Sequence, residues 1–170
     1  MKGGYTIAKG VVIENANGGR YGDKLYGNSA ANVLQGNGGA DTLQGGSGND
    51  VLWGGSGNDR LYGGSGSDVF VFNKKASKTT NEDWIYDFDG GYDLIHLDNA
   101  VFTKLGGTGR LKSGNFDTGS KADDRNDFLV YNKTKGILSY DADGSGKRAA
   151  VEIAHLSNKA KVTAADILII

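Results

Sequence analysis

Six consecutive nine-residue blocks between residues 18 and 71 constrain this chain more than anything else in it: GGRYGDKLY, GNSAANVLQ, GNGGADTLQ, GGSGNDVLW, GGSGNDRLY and GGSGSDVFV. The sixth place holds Asp23, Asn32, Asp41, Asp50, Asp59 and Asp68, and the eighth holds Leu25, Leu34, Leu43, Leu52, Leu61 and Phe70. A repeat of this kind is one structural unit that buries its apolar residue only against its neighbours. Glycine at this density excludes helix, at about 1 kcal/mol per residue relative to alanine. Strand is left for the last three residues of each block, Val51, Leu52 and Trp53 for example, where the middle side chain faces one way and its neighbours the other. The glycine-rich half is then a tight turn. Strand, turn, strand winds a parallel coil of two blocks, 18 residues, per circuit, with the eighth-place side chains stacked inside.

What holds such a coil together is narrowed by composition. Proline and cysteine are both absent, so neither a collagen nor a disulfide framework is available. Packing, hydrogen bonds or a bound ion must supply the stability. Successive blocks lie on opposite edges, which stacks Asp41 on Asp59 and Asp50 on Asp68 at about the 4.8 Å strand spacing. Two carboxylates that close repel by about 1 kcal/mol in water and by several at an effective dielectric of about 20. A cation between them reverses the sign. Carboxylates together with carbonyls from curled glycine turns form a hard, flexible oxygen cage, which suits calcium better than magnesium or a transition metal.

These blocks resemble the nonapeptide G-G-x-G-x-D-x-U-x of the RTX (repeats-in-toxin, hemolysin-type calcium-binding) proteins. From residue 36 to 71 every first, fourth, sixth and eighth place matches, with Asn37 the one departure at the second. The resemblance implies an all-β fold, a calcium-binding parallel β-roll continuing into a C-terminal antiparallel β region, with several Ca2+ ions each held between two turns of one edge. Its ligand pattern falls here on Gly36, Gly38, Gly39 and Asp41; on Gly45, Gly46, Ser47, Gly48 and Asp50; on Gly54, Gly55, Ser56, Gly57 and Asp59; and on Gly63, Gly64, Ser65, Gly66 and Asp68. In the two earlier blocks it falls on Gly19, Tyr21 and Asp23, and on Asn28, Ala30 and Asn32, where the departures from glycine and aspartate imply looser sites. Counting back nine residues puts Glu14 at a carboxylate place, either as a ligand or as a solvated strand-edge glutamate.

Downstream, DWIYDFDGGYDLIHL (83 to 97) resembles the family's D-x-I-x-D-F-x-x-G-x-D-x-I-D-L segment, with His96 in place of the usual aspartate. Asp93 and Asp83 are further candidate ligands on that resemblance, whereas Asp87 and Asp89 read as a solvated turn. Residues 125 to 156 alternate apolar and polar side chains around turns at 132–136 and 141–146, the pattern of antiparallel hairpins. The stretch from Asp141 to Glu152 meets the spacing of an EF-hand loop, yet its flanks are strand-like, which favours a plain turn. The last residues, VTAADILII, read as a core strand opened by a capping turn from Thr163 to Asp166. They also resemble the C-terminal export signal of type I secreted relatives.

Other functions find little support. Net charge is −1 and no basic stripe with aromatic platforms is present, so a nucleic-acid partner is not expected. No apolar run approaches the roughly 20 residues of a membrane span. There is no H-E-x-x-H motif, His96 and His155 stand far apart in sequence, and the GSGK at 144–147 lacks the remainder of a phosphate loop. The start of the chain has no apolar core of a cleavable signal, which leaves a cytosolic chain, a piece of something longer, or export by another route. The expectation is a non-catalytic module of a larger, secreted, extracellular protein, exported by type I machinery and folding when it meets calcium. It is organised as an N-terminal lead-in strand and cap (1–17), a roll (18–72) and a β-rich flanking region with a secretion signal (73–170). The alternative is a calcium-dependent polysaccharide-binding or adhesion module, with Trp53, Tyr26, Tyr62, Arg60 and Lys24 as a sugar platform.

Overall fold

In the computed structural model of the chain, residues 4–6, 14–77 and 79–170 are described. The earliest part of the lead-in, residues 1–3 and 7–13, lies outside the described residues. Strands β1 (Gly4–Thr6) and β2 (Asn15–Asn17) precede the blocks, and each block forms a strand that begins at its seventh place: β3 (Lys24–Tyr26), β4 (Val33–Gln35), β5 (Thr42–Ser47), β6 (Val51–Trp53), β7 (Arg60–Ser65) and β8 (Val69–Phe72), with β5, β7 and β8 running on into the residues that follow. Odd and even strands go to different sheets, β1-β3-β5-β7 in one and β8-β6-β4-β2 in the other, and each pairs in parallel with the strand one circuit away. This is the parallel roll that the nine-residue period dictates.

Both sheets continue past residue 72. β9 (Asp83–Ile85) pairs in parallel with β7, and β10 (Leu94–Leu97) pairs in parallel with β8. Next in chain order come β11 (Gly109–Arg110), β12 (Phe116–Asp117), β13 (Leu129–Asn132), β14 (Ile137–Tyr140), β15 (Val151–Leu156) and β16 (Ile167–Ile169). The larger sheet reads β1-β3-β5-β7-β9-β15-β14-β13-β12, and the smaller β11-β16-β10-β8-β6-β4-β2. β13, β14 and β15 pair antiparallel through the two expected hairpins. Strands β15 and β16 extend the parallel part instead, against β9 and β10.

The eighth-place residues form a continuous stack. On the larger sheet Leu25, Leu43, Leu61 and Ile85 are in register, and on the smaller Ala16, Leu34, Leu52, Phe70, Ile95 and Ile167 are. Leu34, Leu43, Leu52, Leu61, Phe70, Ile85, Ile95 and Ile167 are wholly buried. Phe88 and Phe70 pack at 6.0 Å between ring centroids, joining the roll to a second apolar region that includes Leu129, Tyr131, Leu138, Ile153 and Leu156. Before β16, Asp166 Oδ2 accepts hydrogen bonds from the backbone N–H and the hydroxyl of Thr163, at 2.7 and 2.9 Å, which makes the expected capping turn. Among the described residues no helix is long and apolar enough to cross a membrane.

Candidate metal centre

The turns between the two sheets line up along two edges. On the first edge, residues 27–32, 45–50 and 63–68 lead from the larger sheet to the smaller, and on the second, residues 18–23, 36–41 and 54–59 lead back. From Asp41 to Asp68 each sixth-place side chain turns inward and reaches the backbone N–H of its counterpart one circuit earlier. On the second edge Asp41 Oδ1 accepts from Asp23 N–H at 2.7 Å, Asp59 Oδ1 from Asp41 N–H at 2.8 Å, and Asp83 Oδ1 from Asp59 N–H at 3.0 Å. On the first edge Asp50 Oδ1 accepts from Asn32 N–H at 2.7 Å, Asp68 Oδ1 from Asp50 N–H at 2.9 Å, and Asp93 Oδ1 from Asp68 N–H at 2.9 Å. Two columns of acids result, and Asp83 and Asp93 extend them beyond the repeats.

The second oxygen of each carboxylate defines the chemistry. Oδ2 of Asp41, Asp50, Asp59 and Asp68 is buried without a hydrogen-bond partner, and these residues are at most 1% exposed. A buried carboxylate oxygen left unpaired is costly unless a positive charge meets it. Around Gly45 the oxygens converge: a Cβ there would overlap both Asp50 Oδ2 and the carbonyl oxygen of Gly63. Gly36 is placed the same way between Asp41 Oδ2 and the carbonyl of Gly54. Glycine is required at these first places because the space of a side chain is taken by two oxygens facing one spot. The fit to calcium therefore rests on orphaned carboxylate oxygens beside carbonyls, an all-oxygen donor set.

Burial pushes these acids out of the ordinary carboxylate range. Asp50 and Asp59 are raised to about 6 by desolvation, against the backbone hydrogen bonds from Asn32 and Asp41 that pull them down. Asp41 and Asp68 are raised for the same reason. Asp93 rises to about 6, and Asp83, pushed up by desolvation and by the Asp59 carboxylate beside it, rises well above the usual value.

The remaining candidates sit where the block pattern puts them. Asp23 is half-buried and its Oδ2 accepts from Gly19 N–H at 2.6 Å, while Asn32 is buried and its Oδ1 accepts from Asn28 N–H at 2.8 Å. Tyr21 is 75% exposed, its backbone lying under Gly39, and Ala30 lies under Gly48 in the same way. Glu14 is exposed at the foot of the first edge, where its carbonyl accepts from Val33 N–H at 2.7 Å. The outer places of Gly46, Ser47, Gly64, Ser65 and Gly66 are exposed, and those of Gly38, Gly39, Gly48, Gly55 and Gly57 half-buried. Ser65 Oγ donates to Ser47 Oγ at 3.1 Å.

Three features depart from the sequence reading. Asp87 is half-buried and takes N–H groups of the last repeat turn, so it is not a solvated loop residue. The five residues of the sugar platform do not share a surface: Trp53 lies on the smaller sheet, and Lys24, Tyr26, Arg60 and Tyr62 on the larger, because alternate blocks change sheet. Tyr62 also stacks on Tyr86 at 4.5 Å and 8° between planes, which uses one of its ring faces. Thirdly, Asp117, Asp123 and Asp127 bring ligand atoms within 4.8 Å of one another outside the roll. Their spacing follows no repeat, so no sequence signal marks them. Asp127 Oδ2 already accepts from the N–H groups of Asp123 and Asp124 at 3.2 and 3.0 Å. The loop after Asp141 joins strands β14 and β15, so it is not the helix-flanked loop of an EF-hand.

The architecture and donor set define an all-β parallel roll built to hold hard cations along its edges. The RTX calcium-binding nonapeptide repeat matches residues 17–43 and 35–70, in four copies. Those residues are RTX repeats, and they bind calcium. A serralysin from Photorhabdus luminescens is 56% identical over 98 residues, which make up 57% of this chain and 18% of that protein. Among solved structures, the AlgE6R3 subunit of the Azotobacter vinelandii mannuronan C5-epimerase aligns with a TM-score of 0.58 and 27% identity, over 94% of this chain and 85% of that one. The AlgE6R2 subunit of the same epimerase aligns with a TM-score of 0.48 and 23% identity, over 91% of this chain and 94% of that one.

Proposed function

We propose that this chain is a non-catalytic, calcium-dependent folding module, the C-terminal part of a larger secreted protein exported through type I machinery, in which it supports export and extracellular stability. The observation that carries this reading is the row of four buried, unpartnered Oδ2 atoms on Asp41, Asp50, Asp59 and Asp68. Such a roll is poorly stable until the columns are neutralised. Calcium, when bound, supplies the positive charge that the columns lack. The residues that would hold it are the sixth-place carboxylates and the turn carbonyls from Gly36 to Asp68, with Asp23, Asn32, Asp93 and Asp83 at the ends. Binding free energy then becomes folding free energy: at calcium a hundredfold above a dissociation constant, each site adds about 2.7 kcal/mol.

The matched stretch is only 18% of the serralysin's length, which supports membership of a larger protein. On this reading the chain stays unfolded in low-calcium cytosol, passes the export channel extended, and folds outside. The lead-in (1–17), roll (18–72) and flanking region (73–170) act together. Circular dichroism with and without a chelator tests the proposal, and a chelated chain that keeps its β signal would contradict it.

A second reading, calcium-dependent contact with an anionic polysaccharide, is favoured by the exposed Lys24 and Arg60 in register with Thr42 on the outer face of the larger sheet. The likeness to a mannuronan epimerase subunit points the same way. Alginate binding in excess calcium, lost in a Lys24→Ala and Arg60→Ala double variant, is its test; no binding by the unaltered chain removes it.

A further inference from the structure

Away from the calcium columns, the apolar interior opens to solvent where β14 and β15 of the larger sheet meet the segments that follow β8 and β10 of the smaller. The opening is a cavity of about 520 Å³, walled chiefly by Ala76, Val101, Phe102, Tyr140, Ala142 and Val151. Tyr140 closes β14, Val151 opens β15, and the two pair in register. Val101 and Phe102 sit in a turn whose N–H groups donate to the carbonyl of Asp98, at 3.0 and 2.9 Å, while Ala100 N–H donates to the Asp98 carboxylate at 2.8 Å. Ala76 precedes an antiparallel bridge between Ser77 and Asn81. Phe102, 1% exposed, meets Tyr140 edge to face at 5.2 Å, and the Tyr140 hydroxyl accepts from Lys104 N–H at 3.1 Å. Phe102 belongs to the core, and Ala76, Val101 and Tyr140 pack against it, so the floor of the cavity is the core itself.

The charged groups around this opening are of one sign. Among the described residues, Lys75 and Arg148 are the only charged side chains that line it, and both are exposed. Neither side chain has an ion-pair or hydrogen-bond partner among the described residues. The rest of the lining is alanine, valine, phenylalanine and tyrosine, with no carboxylate, no side-chain amide and no serine or threonine hydroxyl. A sugar or a nucleotide would turn its hydroxyls and amides toward hydrocarbon there, losing hydrogen bonds to water that nothing in the lining replaces. A ligand with a hydrocarbon body and a single anionic group is matched at both ends. Mostly apolar walls with a few polar groups that fix orientation, at this volume, are the ordinary make-up of a small-molecule site.

We propose that this cavity binds an unbranched alkyl carboxylate, a fatty acid of medium length, with its chain against Phe102, Tyr140 and Val151 and its carboxylate met by Lys75 and Arg148. The site uses none of the column acids and goes beyond calcium binding. Its walls come from three stretches far apart in sequence, so only the folded chain has it. Val151, an apolar side chain 38% exposed at the mouth, is the surface that the ligand's chain takes out of water.

Nitrogen-15 NMR of the full chain in saturating calcium, titrated with sodium octanoate at concentrations where its calcium salt stays dissolved, tests this. The expected result is saturable shifts at the amides of Val101, Phe102, Tyr140, Ala142 and Val151, with none from octylammonium and weaker ones from octanol at the same concentrations. Arg148→Glu should weaken octanoate binding by about threefold or more. Lys147→Glu, next to it on the same exposed loop but outside the lining, should weaken it less and so controls for net charge. Ala142→Trp, which fills the cavity, should abolish the shifts. Shifts that never saturate or that scatter over the surface, octylammonium or octanol binding as well as octanoate, or R148E binding no more weakly than K147E, would each overturn the proposal. Should A142W not fold in calcium by circular dichroism, the comparison of R148E with K147E and the octylammonium titration decide alone.

Discussion

Asp50 is wholly buried, gives one carboxylate oxygen to the Asn32 N–H and leaves the other unpaired, so a single side chain both shapes the turn and strains it. Desolvation raises it from 3.8 to about 6, as it does Asp59. Between those values the folded, calcium-free chain holds more protons than the unfolded one, so this contribution to stability is present below the unfolded value and is lost as pH rises through about 6. Acidifying a calcium-free sample from about pH 7.5 to 5 should therefore shift it towards the folded state and bring back part of the β signal. With calcium present the sign inverts, because protons compete for the same oxygens and more calcium is needed to half-fold the chain. Circular dichroism spectra and titrations at the two pH values check both signs. Asp50→Asn should likewise raise the calcium midpoint without harming the calcium-free chain. Gly45→Ala should copy that calcium phenotype from the other side, since its Cβ would take the space facing Asp50 Oδ2 and the Gly63 carbonyl. Calcium titrations of the two variants side by side measure it, and a G45A chain with an unchanged midpoint would show that the spot between those oxygens holds no ion.

The strands obey a simpler rule. Leu52 sits between Leu34 and Phe70 in register, with no exposed surface, and Leu52→Ala should cost about 2 to 5 kcal/mol in saturating calcium, read from denaturant unfolding. Val51→Ala, one place away on the outer, half-buried face, should cost far less. The same period that makes this prediction made strands β3 to β8 legible in the sequence, along with their order, their alternation between sheets and the stacking of Asp41 on Asp59. Legibility fades where the period does. From Asp59 to Asp83 the step between stacked acids is 24 residues and from Asp68 to Asp93 it is 25, instead of 18, so no block count could place β9 and β10 as the next rungs. The hairpins of residues 129–156 were readable from alternation and turn residues. Their docking on β9, and that of β16 on β10, depends on pairings of over 60 residues' separation that leave no local pattern. Asp87 was misread for a related reason: it stands at a place where every repeat has glycine, and its partners, Gly63 and Gly64, lie a turn away in space.

At the scale of the molecule, the two sheets make one body of the repeats and the C-terminal region, with β16 held between β10 and β11. Removing residues 164–170 should leave β10 paired on its β8 side alone, expose Ile95 and Leu97, and raise the calcium needed for folding of the whole roll, not only of its end; a titration of the truncated chain against the full one measures this. The larger claim is that the fold is conditional. The acids stack at strand spacing, strands β3 to β7 each bury a single apolar side chain, and the glycines make ordering costly. Small-angle scattering together with circular dichroism, on one sample of the full chain first stripped of calcium and then titrated with it, tests that claim most directly. The account predicts an expanded chain without β signal that collapses, cooperatively and reversibly, to a compact β structure as calcium is added at neutral pH. A chain that is already compact and β-structured after calcium is stripped, and unchanged by its return, would contradict it.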